Sequence, residues 1–374
     1  MIIGYDAKRA FHNYTGLGNY SRFTVGMLAD QYPDNEYILY TPPYKPHPEH
    51  TFANRQNIRI VEPRGAYKVF SSYWRSFGVG SYAKRDGVQL FHGLSGELPS
   101  GLAKQRIRSI VTIHDLIFLR YPEFYKAVDR SIYKKKFLAA CQSSDLIIAI
   151  SKQTKDDIIE FFNIDEEKIR IAYQGCDPQF YNACSNEQKQ AVKAKYQLPD
   201  KYILYVGTIE ERKNLTTIVK ALAVMPKDLH LVAIGKGTDY MQKVSAEVEK
   251  LNLRSRVHFI HKSDFRDLPA IYQSAQVFVL PSVFEGFGIP VLEALNSKIP
   301  VVTSNTSSLP EAGGPHSLYI DPTSSKELEE ALFNILSHND LRTSMVTNGY
   351  KYAQKFREQK LAQDMWNIYS EFIG

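Results

Sequence analysis

Little in this 374-residue sequence suits a membrane span, a disulfide framework or a nucleic-acid surface. No uninterrupted apolar run reaches the roughly 18 residues that a spanning helix needs, and the opening MIIGYDAKRAF reads as a short buried strand rather than a secretion signal. The expectation is a cytoplasmic protein. Only three cysteines occur; Cys141, Cys176 and Cys184 form no CxxC pair and no metal-type spacing, and an odd number argues against a disulfide framework. Charge of one sign is also scarce. The 46 Lys and Arg exceed the 40 Asp and Glu by only six, far short of a nucleic-acid footprint but compatible with an anionic small ligand or a membrane surface. With 44% hydrophobic and 23% charged residues, the composition is that of a soluble globular protein.

What is present is alternation. Short apolar runs take turns with amphipathic stretches along the whole chain, as parallel strands buried under helices on both faces require, so the fold class is α/β. In the first half strands are expected at 1–5, 36–40, 58–61, 90–92, 108–113, 146–149 and 169–171, with helices at 18–30 and 129–143. The hydrophilic stretch 185–200 reads as a domain boundary. Beyond it strands are expected at 202–206, 229–234, 257–260, 277–280, 301–303 and 318–320. Ser324 and Glu327 have capping-box spacing ahead of Leu328, Ala331, Leu332, Ile335 and Leu336, which repeat at helical intervals. Leu361, Met365, Trp366, Tyr369 and Phe372 give the final helix a broad apolar face. The length suits two doubly wound domains in series, with a ligand crevice between them at the carboxyl ends of their strands.

Four segments carry chemistry. In LPSVFEGFGIPVLEAL (280–295) a strand ends, a glycine-bearing loop follows, and a helix is expected to open at Pro290, whose missing amide proton costs nothing at the first helical position. The amides of Gly286, Phe287, Gly288 and Ile289 would then face an anion, with the glycines permitting close backbone approach. Glu285 and Glu293 are eight residues apart, which even on one continuous helix means about 12 Å of rise, so they are not a paired acid and base. Glu285 suits hydrogen bonds from sugar hydroxyls and Glu293 hydrogen bonds from ribose; both also suit an ordinary helix N-terminus. In YILYVGTIEERKNL (202–215), Arg212 and Lys213 stand where two cations can neutralise a diphosphate, and fixed donors aimed at a leaving group that gains charge lower the barrier. A solvated basic turn is the plain alternative. YTGLGNY (14–20) offers Gly16 and Gly18 in a turn between the first strand and a helix, without the full GxGxxG spacing of a nicotinamide site. VTIHDL (111–116) places His114 and Asp115 at a strand end, with His92 in FHGLSGELP a lesser candidate; each also suits a satisfied core or capping position.

Taken together, EGFGIPVLE, GTIEERKN, TGLGNYSR and TIHDL, in this order and spacing, resemble glycosyltransferase family 4, retaining enzymes of the GT-B fold, from the first strand to the last helix. IIAISKQT and QGCD are also similar to family segments, with Gln174 standing where the family commonly has asparagine. The resemblance implies that Gly16 lends an amide near the donor phosphate, His114 lies beside the sugar, Arg212 and Lys213 hold the diphosphate, Glu285 binds the sugar and Glu293 the ribose. It further implies acceptor binding by a first domain of residues 1–184 to which the last helix, 356–374, returns, and nucleotide binding by a second domain of residues 198–355. The anomeric configuration would be retained, with the acceptor attacking the face from which the diphosphate departs. No Asp-x-Asp triplet occurs, so no metal and no other cofactor is expected. Likeness to mannosyltransferases of surface-polysaccharide assembly favours GDP-mannose over a UDP-hexose, and a glycan or lipid-linked glycan acceptor.

Rival expectations are a nucleotide-sugar epimerase or phosphorylase of related architecture and a non-catalytic sugar-nucleotide binding protein. The stretch 67–85 interleaves aromatics with Lys and Arg, and Tyr67, Phe70, Trp74 and Phe77 fall at helical spacing. Such a helix suits either peripheral contact with the inner face of the plasma membrane or a core-facing aromatic stripe.

Overall fold

The computed structural model describes residues 1–373, with side chains to Phe372. It contains two compact units, 1–174 with 358–374 and 175–357. The first is built on a seven-stranded, wholly parallel sheet in the order β3-β2-β1-β4-β5-β6-β7. Its strands are β1 (Ile2–Asp6), β2 (Glu36–Tyr40), β3 (Ile58–Val61), β4 (Leu90–Gly93), β5 (Arg108–Ile113), β6 (Leu146–Ala149) and β7 (Ile169–Ile171). The second carries a six-stranded parallel sheet, β10-β9-β8-β11-β12-β13, from β8 (Tyr202–Val206), β9 (His230–Ile234), β10 (Val257–Ile260), β11 (Val277–Leu280), β12 (Val301–Ser304) and β13 (Leu318–Ile320). Both orders reverse direction next to the first strand of the unit, and such a switch point opens a crevice at the carboxyl ends of the strands.

The strands form where they do because most are apolar on both faces. β4, β6, β11 and β12 are buried at every position, which only a sheet covered on both sides allows. The returning helix Glu358–Ile373 is tied into the first unit by Tyr369, fully buried and bonded to His92 Nδ1, and by Trp366 stacked on Tyr32 at 4.4 Å.

Several expectations need correction. The first unit ends at 174, not 184, because residues 175–184 are anchored in the second. Phe180 is fully buried edge-on against Tyr272 at 5.4 Å, Asn296 Nδ2 lies 3.4 Å from Cys176 Sγ, and the Cys184 amide donates to Gln273 Oε1 at 2.9 Å. Residues 356 and 357 belong there too, through Phe356 against Phe287 and the Arg357 guanidinium over the Tyr181 ring. The stretch 185–200 is no linker. It holds the helix Asn186–Tyr196, started by a complete Ser185–Gln188 capping box. Ser324 does cap the helix Ser325–Ser337, but Glu327 reaches back to the Asp321 amide, so the second half of that box is missing. The helical stretch 71–85 contains a wide π turn at Trp74–Gly78, and Trp74 is buried among Ile38, Tyr40 and Phe91 while Phe70 and Phe77 face outward.

Candidate active site

In the second unit the loops after β8 and β11 meet at the switch point. The Val283 amide donates to the Arg212 carbonyl at 2.8 Å, and the Arg212 guanidinium donates to the Phe284 carbonyl. This joins two segments about 70 residues apart in sequence. Arg212 and Lys213 lie in a short turn, Glu211–Lys213, followed by Asn214 in the left-handed region at φ 53° and then the helix Leu215–Leu222. Glycine at 207 leaves room for this turn, since a Cβ there would lie 3.2 Å from Lys213 Cδ.

The two cations converge on one carboxylate. Glu285 Oε1 accepts from Lys213 Nζ at 2.9 Å and from Ser282 Oγ at 2.8 Å, while Oε2 lies 3.0 Å from an Arg212 guanidinium nitrogen. Burial alone would raise the Glu285 pKa, but the charges of Arg212 and Lys213 outweigh it and hold the carboxyl down at about 2. Glu285, expected to meet sugar hydroxyls, therefore has both oxygens engaged by protein donors. Its backbone is fixed as well: the amide donates to Ser307 Oγ at 3.1 Å and the carbonyl accepts from Ser308 Oγ at 2.8 Å.

Residues 286–289 lead from this triad into the helix Ile289–Asn296. The helix opens one residue before Pro290, with Gly288 at φ 113° where a Cβ would come within 3.0 Å of Leu309 Cδ2. Non-glycine residues rarely adopt that backbone. The amides of Gly286, Gly288 and Ile289 meet no protein acceptor among the described residues, so they are available to an anion at the helix N-terminus. Glu293 lies a turn further in, buried, with Oε2 accepting from Tyr272 OH at 2.7 Å. Here burial dominates, the Asp177 charge adds to it, and the Glu293 carboxyl is pushed up to about 7 despite the Tyr272 hydrogen bond.

In the first unit the candidates stand at the carboxyl ends of β1 and β5. Gly16 opens the helix Gly16–Gln31, and a Cβ there would meet nothing within 4 Å. Gly18 is different. Its amide is taken by Asn13 Oδ1 at 3.3 Å and a Cβ would fall 1.7 Å from the Asn13 carbonyl oxygen, so this glycine serves the turn and does not offer its amide to a donor. His114 Nε2 lies 2.9 Å from the Leu94 carbonyl oxygen, which can only accept, so Nε2 carries the proton and Nδ1 is left as an acceptor. Burial lowers its pKa to about 4, so the ring is neutral at pH 7. Tyr20 meets His114 ring edge to face at 4.6 Å. Asp115 accepts from the Ile117 amide at 3.2 Å. His92 is fully buried between Tyr369 and Thr112, with its pKa lowered to about 3 by burial, and acts as a core residue.

Sequence reasoning missed Tyr272 and the serines at 282, 307 and 308. Ser282, Ser307 and Ser308 carry no helical or strand periodicity, and Tyr272 lies 21 residues before the glutamate it contacts. It also missed an ion network at the end of β1, where the Arg75 guanidinium bridges Asp6 at 2.8 Å and Glu97, and Glu97 pairs with Lys136 at 3.3 Å.

Residues 16–180 match the family described as Glycosyltransferase Family 4, and residues 186–352 match Glycosyl transferases group 1. O-antigen chain mannosyltransferase B of Escherichia coli is 30% identical over 324 residues, covering 85% of this chain and 81% of its own. O-antigen chain mannosyltransferase RfbU of Salmonella typhimurium is 30% identical over 226 residues, 60% of each chain. Among solved structures, sucrose-phosphate synthase from Thermosynechococcus elongatus superposes with a TM-score of 0.79 at 21% identity, covering 99% of this chain and 98% of that one. Anabaena HepE in complex with UDP and glucose gives 0.78 at 17% identity, covering 99% and 100%. These likenesses show the fold, two Rossmann-like domains of the GT-B type. The chain belongs to the glycosyltransferases of family 4, with a group 1 glycosyl transferase domain as its second half.

Proposed function

We propose that the chain transfers a hexose, mannose first, from a nucleoside diphosphate sugar to a glycan or lipid-linked glycan acceptor in surface-polysaccharide synthesis, with retention at the anomeric carbon. GDP-mannose is preferred over a UDP-hexose because the mannosyltransferase relatives are 30% identical. HepE, whose structures hold UDP and UDP-glucose, is only 16–17% identical. The single observation that carries the reading is the convergence of Arg212, Lys213 and the amides of residues 286–289 around Glu285 at the switch point of one sheet.

In this reading the diphosphate draws Lys213 and Arg212 partly away from Glu285 and seats on the Gly286, Gly288 and Ile289 amides, with Phe287 completing the loop. Glu285 then orients the sugar through the bonds the cations release, and Glu293 receives the ribose hydroxyls. As the anomeric C–O bond breaks, the bond from the acceptor oxygen forms on the same face. The acceptor proton passes to the departing phosphate oxygen, leaving a glycoside and a nucleoside diphosphate. Glu285 is poorly suited to be a nucleophile, because with the cations only partly withdrawn it stays paired with them and hydrogen-bonded to Ser282. Within the first unit, His114 Nδ1 offers an acceptor to a hydroxyl and Gly16 an unobstructed helix start. No metal or other cofactor enters, since Arg212, Lys213 and the helix N-terminus supply the positive charge. The setting is the cytoplasmic side of the membrane.

The test is nucleoside diphosphate release from GDP-mannose and from UDP-hexoses, with and without a glycan acceptor. Acceptor-dependent release, lost on Lys213→Ala by roughly 10²- to 10³-fold, is expected. Donor isomerisation without release would favour an epimerase, and binding without turnover a sugar-nucleotide carrier. Thermal stabilisation by each nucleotide sugar separates the bases, because a ligand of the native state raises the melting temperature.

A further inference from the structure

The π turn at Trp74–Gly78 has a consequence for the surface of the first unit. It turns Trp74 into the core, where Gly78 makes room for the indole, and turns Arg75 toward Asp6 and Glu97. Phe70, Tyr73 and Phe77, at spacings of three and four, are left on the outside, each more than half exposed, and Val69 beside them is 81% exposed. Tyr73 and Phe77 pack on each other at 4.9 Å rather than on the protein core. A second exposed apolar set lies on the helix Ala127–Ser143, where Val128 and Ile132 share a face. The Glu97 carboxylate, paired with Arg75 on one side and Lys136 on the other, brings the two helices to one loop.

We propose that these two helices form a docking surface for an anionic lipid bilayer. Charge selects this occupant. Residues 64–85 carry five Lys or Arg and no Asp or Glu, and residues 126–136 carry five against the single acid Asp129; Arg75 and Lys136 are held by Asp6 and Glu97, which leaves four other cations on each stretch. A second copy of the chain would bring like charge onto like charge. A bilayer with negative headgroups accepts the basic rim and takes the aromatics into its interfacial layer. The surface deepens the reading of a lipid-linked acceptor and rests on it for its purpose alone.

The experiment is co-sedimentation of the full chain with vesicles of phosphatidylcholine alone or mixed with phosphatidylglycerol, at low and high salt, without donor or acceptor. Failure to bind therefore leaves the transfer reaction untouched. Binding to the anionic vesicles, weakened by salt, is expected. Phe70→Ser/Phe77→Ser should weaken it about ten-fold or more, and Lys134→Glu/Lys135→Glu by about five-fold per charge removed. Should the aromatic variant fail to fold, Val128→Ser/Ile132→Ser reads the same surface. Absence of binding, binding unchanged in both kinds of variant, or a dimer in sedimentation velocity that these variants dissociate would each overturn the proposal.

Discussion

Glu285 and Glu293 are eight residues apart, both buried, and electrostatically opposite. The loop glutamate sits between two cations and is held ionised down to about pH 2; the helix glutamate is buried against a phenol and keeps its proton to about pH 7. Burial raises both carboxyls, and the difference is made by what else reaches them. In the loop, Arg212 and Lys213 arrive from another strand's turn. In the helix Tyr272 arrives as a hydrogen-bond donor, the Asp177 charge adds to the cost of ionisation, and the Lys213 charge offsets it least of all. In the proposed reading one site is a store of charge for an incoming diphosphate, and the other a nearly neutral acceptor for hydroxyls.

The sharpest way to break this contrast is Glu285→Gln. Removing one partner of a buried ion cluster leaves the others uncompensated, and a loss of about 3 kcal/mol in urea unfolding is expected, with part of it recovered when pyrophosphate or a nucleoside diphosphate is added. A variant as stable as wild type would mean that Arg212 and Lys213 do not depend on Glu285 for compensation.

Next in size is Glu293→Gln, read as a pH dependence. A carboxyl whose folded pKa is raised binds its proton more tightly than in the unfolded chain, so its contribution is present below pH 4.5 and is lost as pH rises toward 7. Between pH 5 and pH 8 the variant should gain on the order of 2 kcal/mol relative to wild type in urea midpoints. Glu285 has the opposite sign, its contribution being lost only as pH falls from 4.5 toward 2. Tyr272→Phe deletes the one hydrogen bond that lowers the Glu293 pKa, and should cost about 1 kcal/mol at pH 8 while moving the Glu293 titration upward in carboxyl NMR. The smallest stability effect is expected at Gly16→Ala, within a few tenths of a kcal/mol, because nothing surrounds that position. If its amide meets the donor phosphate, the donor KM should nonetheless rise.

Much of this was legible in the sequence. Strands such as 146–149 and 277–280 have the expected bounds because a buried parallel strand is a continuous apolar run with abrupt polar ends. The helix at 186–196 was not legible because its only buried residue is Val192, so its composition resembles a linker. The π turn escaped because helical spacing assumes a constant period. Arg212, Lys213, Glu285 and Glu293 were found as motif positions, but the ion triad was not, since its cations and carboxylate are some 70 residues apart and nothing in a single sequence records side-chain pairing at that distance. Gly16 and Gly18 looked equivalent in the turn; only the Asn13 carbonyl, folded back against Gly18, separates their roles.

The central claim is that the loop carboxylate works on the reacting sugar and its leaving group while the helix carboxylate works on binding. Steady-state transfer by Glu285→Gln and Glu293→Gln, at one pH and with the donor varied, tests it most directly. The account predicts that Glu285→Gln lowers kcat by roughly 10²- to 10³-fold, whereas Glu293→Gln raises the donor KM with kcat little changed. Equal losses of kcat in the two variants, or a Glu285→Gln enzyme changed in KM alone, would contradict it.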